Sequence, residues 1–243
     1  MQSNKPKAIF AWSGGKDSSY CLNEVFEQNE FEVVYLLTTL NAEFKRISMH
    51  GVREELLDRQ AESIGITQLK VWLHEASYES YEKQMEEMLL KAKSEGIEHV
   101  IFGDIFLEDL RIYRENNMSK IGMKAIFPLW KRSTSELIQS FIEKGFETIT
   151  CCVNDAQLDE TWVGKVIDSN FINELPENVD PCGENGEYHT FCYAGPIFKK
   201  KINFEIGEKI YRPLDVQLDD SCNSDSNKKI TKGFWYCDLI QDL

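Results

Sequence analysis

Between residues 8 and 118 the chain switches repeatedly between two incompatible hydrophobic periods. Short apolar runs at 8–12, 31–39, 68–73 and 99–103 read as buried strands. The stretches between them carry helical spacing. Tyr20, Leu22, Val25 and Phe26 form one stripe, Val52, Leu56, Leu57, Ala61 and Ile64 a second, and Met85, Met88, Leu89 and Ala92 a third. Residues 105–118 form a fourth helical stretch, and Gly65 and Gly96 stand where helices would end. This alternation predicts an α/β fold, an open parallel sheet with helices on both faces. Ligands of such sheets sit at the carboxyl ends of the strands, near a topological switch point.

The second half is patterned differently. Residues 125–129 read as a strand closed by Pro128, 134–144 as a helix capped by Ser133 or Ser135, and 147–153 as a strand. Residues 159–175 are mostly helical in spacing. Ile202, Phe204, Ile206, Ile210, Leu214, Val216 and Leu218 then alternate as antiparallel ribbons do, and residues 217–229 read as an exposed loop. The expected division is 1–122 as a nucleotide-binding domain and 123–243 as a smaller α+β, substrate-binding domain.

One string carries chemistry. Ser13-Gly14-Gly15-Lys16-Asp17-Ser18-Ser19 follows the first strand and opens the first helix. Glycines let backbone N–H groups turn toward an anion, and the helix start adds unpaired N–H groups and a positive dipole end. Ser13, Ser18 and Ser19 add hydroxyls, Lys16 neutralises charge, and Asp17 suits Mg²⁺. An ordinary capped glycine turn is the plainer alternative. The Walker spacing is absent.

Further on, Gly103-Asp104 ends the fourth strand, with Arg111 and Arg114 on the next helix. Cys182-Gly183-Glu184-Asn185-Gly186-Glu187-Tyr188-His189-Thr190 sets two carboxylates and an imidazole within six positions. If Glu187 and His189 alternate on a strand, they share a face. Such a cluster can orient an amine, take its proton or hold a metal; a satisfied polar turn is the alternative. For Asp104, an ion pair with Arg111 competes with a role at Mg²⁺ or a substrate amine. Arg111 and Arg114 can steady pyrophosphate or a carboxylate. His50 and Arg53 follow the second strand on the nucleotide side, where a solvated helix start explains them as well. Met85, Met88 and Leu89 read as core packing, and so do Cys151 and Cys152.

The glycine string resembles the PP-loop of the N-type ATP pyrophosphatases, which have a HUP-like, adenine nucleotide alpha hydrolase-like fold. Together with Pro128-Leu129-Trp130, Asp159, Trp162, Gly164, Asp168, the 182–190 string and Gly195-Pro196-Ile197-Phe198, it resembles the diphthine–ammonia ligase family from about Lys7 to Phe198. The resemblance implies cleavage of ATP between its α- and β-phosphates with Mg²⁺ and adenylation of a carboxylate. Ammonia then displaces AMP to give an amide. It implies an adenine pocket lined by Ala11, Trp12, Leu37, Thr38 and Thr39, for which plain strand core is the alternative; Gly103 is also expected at the cofactor. It implies catalytic roles for Asp17, Asp104, Glu184, Glu187 and His189, and substrate contacts by Arg111, Arg114, Asn185 and Tyr188. The acceptor it implies is diphthine on elongation factor 2, or another carboxylate. Two rivals are a tRNA-modifying PP-loop enzyme and a protein that binds adenine nucleotides without turnover.

Charge bears on those rivals. The net charge is −14, and Lys199-Lys200-Lys201 is the one obvious basic run, which argues against nucleic acid. Seven cysteines include no Cys-x-x-Cys pair, so zinc and iron–sulfur sites lack local support. No apolar run reaches the roughly 18–20 residues that span a bilayer, and no signal-type segment opens the chain, so the expected location is the cytoplasm. A homodimer is compatible with the sequence.

Overall fold

A computed structural model describes residues 5–47, 49–74, 78–214 and 231–242, with backbone alone at 78–80. Its first half holds β1 (Lys7–Ala11), α1 (Lys16–Gln28), β2 (Glu32–Asn41), β3 (Arg46–Ile47), α2 (Glu54–Ile64) and β4 (Thr67–Leu73). Then come α3 (Tyr78–Ser94), β5 (His99–Ile101), α4 (Glu108–Lys120) and β6 (Lys124–Ile126). The parallel strands lie in the order β4, β2, β1, β5, β6, and β3 turns back antiparallel on the end of β2. The chain therefore winds outward from β1 through β2 to β4, then jumps back past β1 to β5. The switch point lies between β1 and β5, where the glycine loop begins.

Both faces of β1 are buried, so the strand is apolar without alternation. Ala8 and Phe10 pack with Tyr20, Leu22, Leu56 and Leu57 of α1 and α2; Ile9 packs on the other face with Leu89 of α3 and Met118 of α4. Phe26, expected on the inner stripe, is 41 % exposed because it falls past the contact of α1 with the sheet. The sheet also runs beyond residue 122, where the sequence divides the chain: β6 pairs in parallel with β5.

The second half adds α5 (Thr134–Glu143), β7 (Glu147–Asn154), α6 (Ser169–Glu174), β8 (Tyr188–Ala194), β9 (Phe204–Pro213) and β10 (Gly233–Gln241). Its antiparallel sheet is ordered β8, β7, β10, β9. Ser133 caps α5 by accepting from the Glu136 amide. Of residues 159–175 only α6 is helical. Asp159 folds back on the Thr161 amide, Gly164 has φ +81°, and the segment hydrogen-bonds along β7 through Gly164, Lys165 and Ile167. These local turns defeat the helical spacing. Ile202 and Phe204 pack inward, whereas Ile206, Ile210 and Leu214 are exposed because no third layer covers β9. Val216, Leu218 and the loop expected at 217–229 lie outside the described residues. Lys199 and Lys200 form a turn pinned to Ser63.

One apolar core runs through both sheets. Gln60, fully buried on the inner stripe of α2, joins them: its Nε2 donates to the Gly14 and Cys192 carbonyls at 2.9 and 2.6 Å, and its Oε1 accepts from Trp12 Nε1 at 3.0 Å. Arg53 grips Asp238 of β10 through two bonds, with Arg46 beside it. Gln60→Leu leaves the Trp12 N–H and the Cys192 carbonyl buried without this partner. It should cost about 2–3 kcal/mol, read as a lower urea midpoint at unchanged m-value.

Candidate active site

The glycine loop is shaped from outside as much as by its own residues. Gly14 has φ +75°, and a Cβ there would lie 2.7 Å from both Gln60 Oε1 and Leu57 Cδ2. At Gly15 a Cβ would lie 2.9 Å from His50 Cε1 and 3.1 Å from the Thr190 carbonyl. The Gly14 carbonyl accepts from the Cys192 amide, and the Thr190 hydroxyl takes the Lys16 amide at 2.9 Å. By helix geometry the amides of Asp17 and Ser18 have no intrahelical acceptor. Ser13 bonds Ser18, and both face the cleft; Ser18 also holds the Gly15 carbonyl. Ser19 does not serve the cleft: it is buried and its hydroxyl turns back to the Gly15 carbonyl, as a helical serine does.

Lys16 is 2 % exposed. Its Nζ lies 2.7 Å from both carboxylate oxygens of Asp17, donates to the Cys182 carbonyl, and stands 5.3 Å over the Tyr188 ring. Burial alone would lower its pKa, but Asp17, followed by Tyr188, Cys182 and Glu184, holds it well above the usual lysine range. The loop cation is thus already tied down.

The 182–190 string forms the opposite wall of a cleft of about 1400 Å³, which opens over β1 and β5. Glu184, Asn185, Tyr188, His189 and Thr190 line it. Glu187 does not. It precedes β8, is 2 % exposed, and its carboxylate accepts from the Asp180 amide and from the Asn185 amide and side chain. Glu187 therefore knots the turn, contrary to the expected catalytic role, and it holds Asn185 by two bonds. Tyr188 packs edge-on against Phe171, and its hydroxyl donates to the Pro181 carbonyl, so it supports Lys16 rather than offering a hydroxyl to a substrate.

His189 stacks on His50 with ring centroids 4.8 Å apart. His50 Nδ1 donates to the Thr190 carbonyl at 2.9 Å, which fixes its neutral tautomer. Burial, then His50 and Lys16, push His189 down to about 3. Among the described residues its Nε2 is buried without a hydrogen-bond partner.

At the end of β5, Asp104 pairs with Arg114 at 2.9 Å, not with Arg111. Arg111 pairs with Glu115 and lies over the Phe127 and Trp130 rings, away from the cleft, so it is no substrate clamp. One helical turn separates the two arginines in function: position 114 faces back toward the strand end and position 111 does not. Gly103, Ala11, Leu37 and Thr39 border the cleft. Thr38 is buried, donating to the Trp12 carbonyl and accepting from Gln68. Trp12 reaches the cleft edge, but its indole is anchored in the core on Gln60. Sequence reasoning missed Gln60 and Thr190; a glutamine in the middle of the apolar stripe of α2 was the available signal for the first.

The family models described as diphthamide synthase N-terminal domain and diphthamide synthase C-terminal domain match residues 6–125 and 133–217. The chain belongs to the diphthamide synthase family. Curated relatives named diphthine–ammonia ligase include the Bos taurus protein, 32 % identical over 133 residues, or 53 % of this chain and 49 % of that one. The Homo sapiens protein is 31 % identical over the same shares. The Mus musculus protein is 25 % identical over 228 residues, or 84 % and 85 %. In the bovine and human alignments the chain spans about half the length of the relative. A solved structure of the U34-tRNA thiolase NcsA from Methanococcus maripaludis is similar at 19 % identity and TM-score 0.35, over 58 % of each chain.

The family match covers both walls of the cleft, and its electrostatics are unusual. Burial raises the Glu184 carboxyl to about 8, with Asp17, Asp180 and Asp104 adding and Lys16 opposing. An unfolded glutamate titrates near about 4.3. Between those values the folded chain holds a proton that the unfolded chain has lost, so stability falls as pH rises through the window. Glu184→Gln removes this effect. Wild type and variant should unfold alike near pH 4, and the variant should gain progressively to pH 8, by on the order of a few kcal/mol, in urea melts without ligand.

Proposed function

We propose that the protein is an ATP-dependent amide ligase that adenylates a substrate carboxylate and transfers ammonia to it. The observation that carries this reading is the convergence of Glu184 and His189 on the phosphate loop within one cleft. The loop amides and the start of α1 bind the ATP phosphates, and Ala11 and Leu37 offer an apolar wall to the adenine. The family's use of Mg²⁺ fits the donor set. Asp17 and Asp104 make the cleft acidic and Lys16 is already paired, so a polyphosphate needs a further countercharge. An ion held by one or two carboxylates and the phosphates would supply it. Asp17 would hold it; when bound it supplies charge neutralisation at the phosphates.

The reaction follows in two steps. The substrate carboxylate oxygen bonds to the α-phosphorus and the α–β bridging bond breaks, releasing pyrophosphate. Ammonia then attacks the acyl carbon, AMP leaves, and the proton lost by nitrogen goes to Glu184 in its ionised form, which in the empty cleft prevails above about pH 8. His189 Nε2 accepts a hydrogen bond from the incoming amine and aims its lone pair. Arg114, held by Asp104, steadies the carboxylate end of the acceptor. The relatives' names make diphthine the first acceptor to try, on elongation factor 2 as the family resemblance implies, with a cytoplasmic site of action in that reading. In this reading the parallel sheet carries the nucleotide and the antiparallel half faces the acceptor.

ATP–pyrophosphate exchange tests the reading. Exchange should depend on the correct acceptor and disappear in Asp17→Ala. Glu184→Gln should keep exchange but lower amide formation by about 10²–10⁴-fold. Tight ATP binding without exchange for any acceptor would leave a nucleotide-binding protein without turnover.

A further inference from the structure

His50 is held over the glycine loop by residues from the last strand of the chain. It sits in the turn at 49–52, between β3 and α2. The neck of that turn is an isolated antiparallel bridge between Arg46 and Arg53. Two arginines facing each other across a bridge repel, which works to open the neck. Asp238 of β10 binds both. Its Oδ1 accepts from Arg53 Nε at 3.0 Å and lies 2.8 Å from Arg46 Nη2, and its Oδ2 accepts from Arg53 Nη2 at 2.7 Å. Arg46 Nη1 donates in turn to the Gly51 carbonyl at 2.7 Å.

A second contact comes from the same face of β10. Tyr236 stands two residues before Asp238, and its ring lies against Gly51, where a Cβ would meet Tyr236 Cδ1 at 2.8 Å. Gly51 has φ +68°, and its amide donates to the Ile47 carbonyl, which keeps the turn tight. The Asp238 side chain is 17 % exposed. Burial would raise its carboxyl, but the bonds from Arg53 and Arg46 hold it below the usual carboxylate range. Arg53 therefore serves the neck of the turn and not the nucleotide. What the turn presents is His50. Its ring backs Gly15, its Nδ1 donates to the Thr190 carbonyl, and it stacks on His189. Thr190 is also the residue that takes the Lys16 amide.

We infer that Asp238 is a positioning residue for the nucleotide site: by closing the Arg46–Arg53 neck it seats His50 on the glycine loop. The inference rests on that loop being the ATP site. With the neck open, His50 leaves Gly15 and the Thr190 carbonyl, and the loop amides lose their fixed direction before the phosphates arrive. His189 loses the ring stacked on it in the same movement. Asp238 touches neither substrate nor cofactor and acts only through His50. Its removal therefore costs nothing further once the imidazole is gone.

Asp238→Asn keeps the side-chain shape and removes the charge that both arginines face. Calorimetric titration of the full, folded chain with Mg²⁺-ATP should show about tenfold weaker binding in this variant. His50→Ala should weaken binding by a similar factor, and the double variant no more than either alone. Arg46→Gln frees the Gly51 carbonyl but leaves the Arg53–Asp238 fork. It is the milder variant should Asp238→Asn fail to fold, and should weaken binding about threefold, again without adding to His50→Ala. The chain has four histidines, so imidazole NMR signals are assigned one substitution at a time. In Asp238→Asn or Arg46→Gln the His50 and His189 signals should lose their mutual ring-current shifts. His99, which packs on Phe31 at the start of β5, should not move. Unchanged ATP affinity in the folded variants overturns the inference. So do additive losses in the double variant, or His50 and His189 signals that stay in place. A wild-type chain that binds no ATP overturns instead the reading of the loop, while the imidazole signals still decide whether Asp238 seats His50.

Discussion

The structure depends on the bonds that tie the glycine loop to the second sheet. Gly14 can adopt φ +75° without a side chain, but the loop is held there because its carbonyl accepts from Cys192 and Gln60. Thr190 then takes the first amide of α1, and His50 closes over Gly15. A phosphate cradle built from backbone amides works only if those amides point one way before the anion arrives. Here part of the orientation is supplied by Thr190 and Cys192, more than 170 positions away. The two halves therefore cannot be exchanged for other modules without losing the loop, and one continuous core across both sheets is the packing expression of that coupling.

The same proximity sets the charges. Bringing the 182–190 turn over the loop sets Glu184 among Asp17, Asp104 and Asp180, and burial denies it water. Like charges at short range cannot all ionise. Two stacked imidazoles, both pushed toward the neutral form by burial, complete the wall. The ligand-free cleft is thus acidic where carboxylates remain charged and proton-rich where they do not. A cation beside Glu184 would lower the cost of ionising it, and a hydrogen-bond donor entering the cleft would meet His189 Nε2 as an acceptor rather than a competing positive charge.

Much of this was legible locally. The strand-loop-helix string, the apolar first strand and the parallel order of the first half follow from period and glycine position, which short-range sterics dictate. What failed was facing. Glu184 and Glu187 are three residues apart in a turn with glycines at 183 and 186, and no period governs which carboxylate looks outward. The turn decided it by hydrogen-bonding Glu187 to its own amides. Arg111 and Arg114 share a helix, yet only Arg114 reaches Asp104, because the crossing of α4 over β5 sets the angle. Thr38 and Ser19 carry hydroxyls in the right region, but each has a closer backbone carbonyl. Residues 159–175 show helical spacing that a side-chain turn at Asp159 and pairing with β7 override. In each case the deciding partner is distant in sequence or is a backbone group that composition does not report.

The winding of the first sheet explains why so large a cleft exists. The chain leaves β1 toward β4 on one side, with α1 and α2 on one face, then returns past β1 so that α3 and α4 cover the other. At the reversal two consecutive helices belong to strands on opposite sides of β1, and nothing in the connectivity brings them together. A gap between α3 and α4 above β1 and β5 is the geometric consequence, and it opens at the carboxyl end where the loop lies. In most soluble cores such a gap closes with large side chains. Here Met85, Leu89, Leu110 and Met118 border it without filling it, and Leu89 and Met118 still pack in the core beneath, so the opening is set by the winding of the sheet and not by missing side-chain volume.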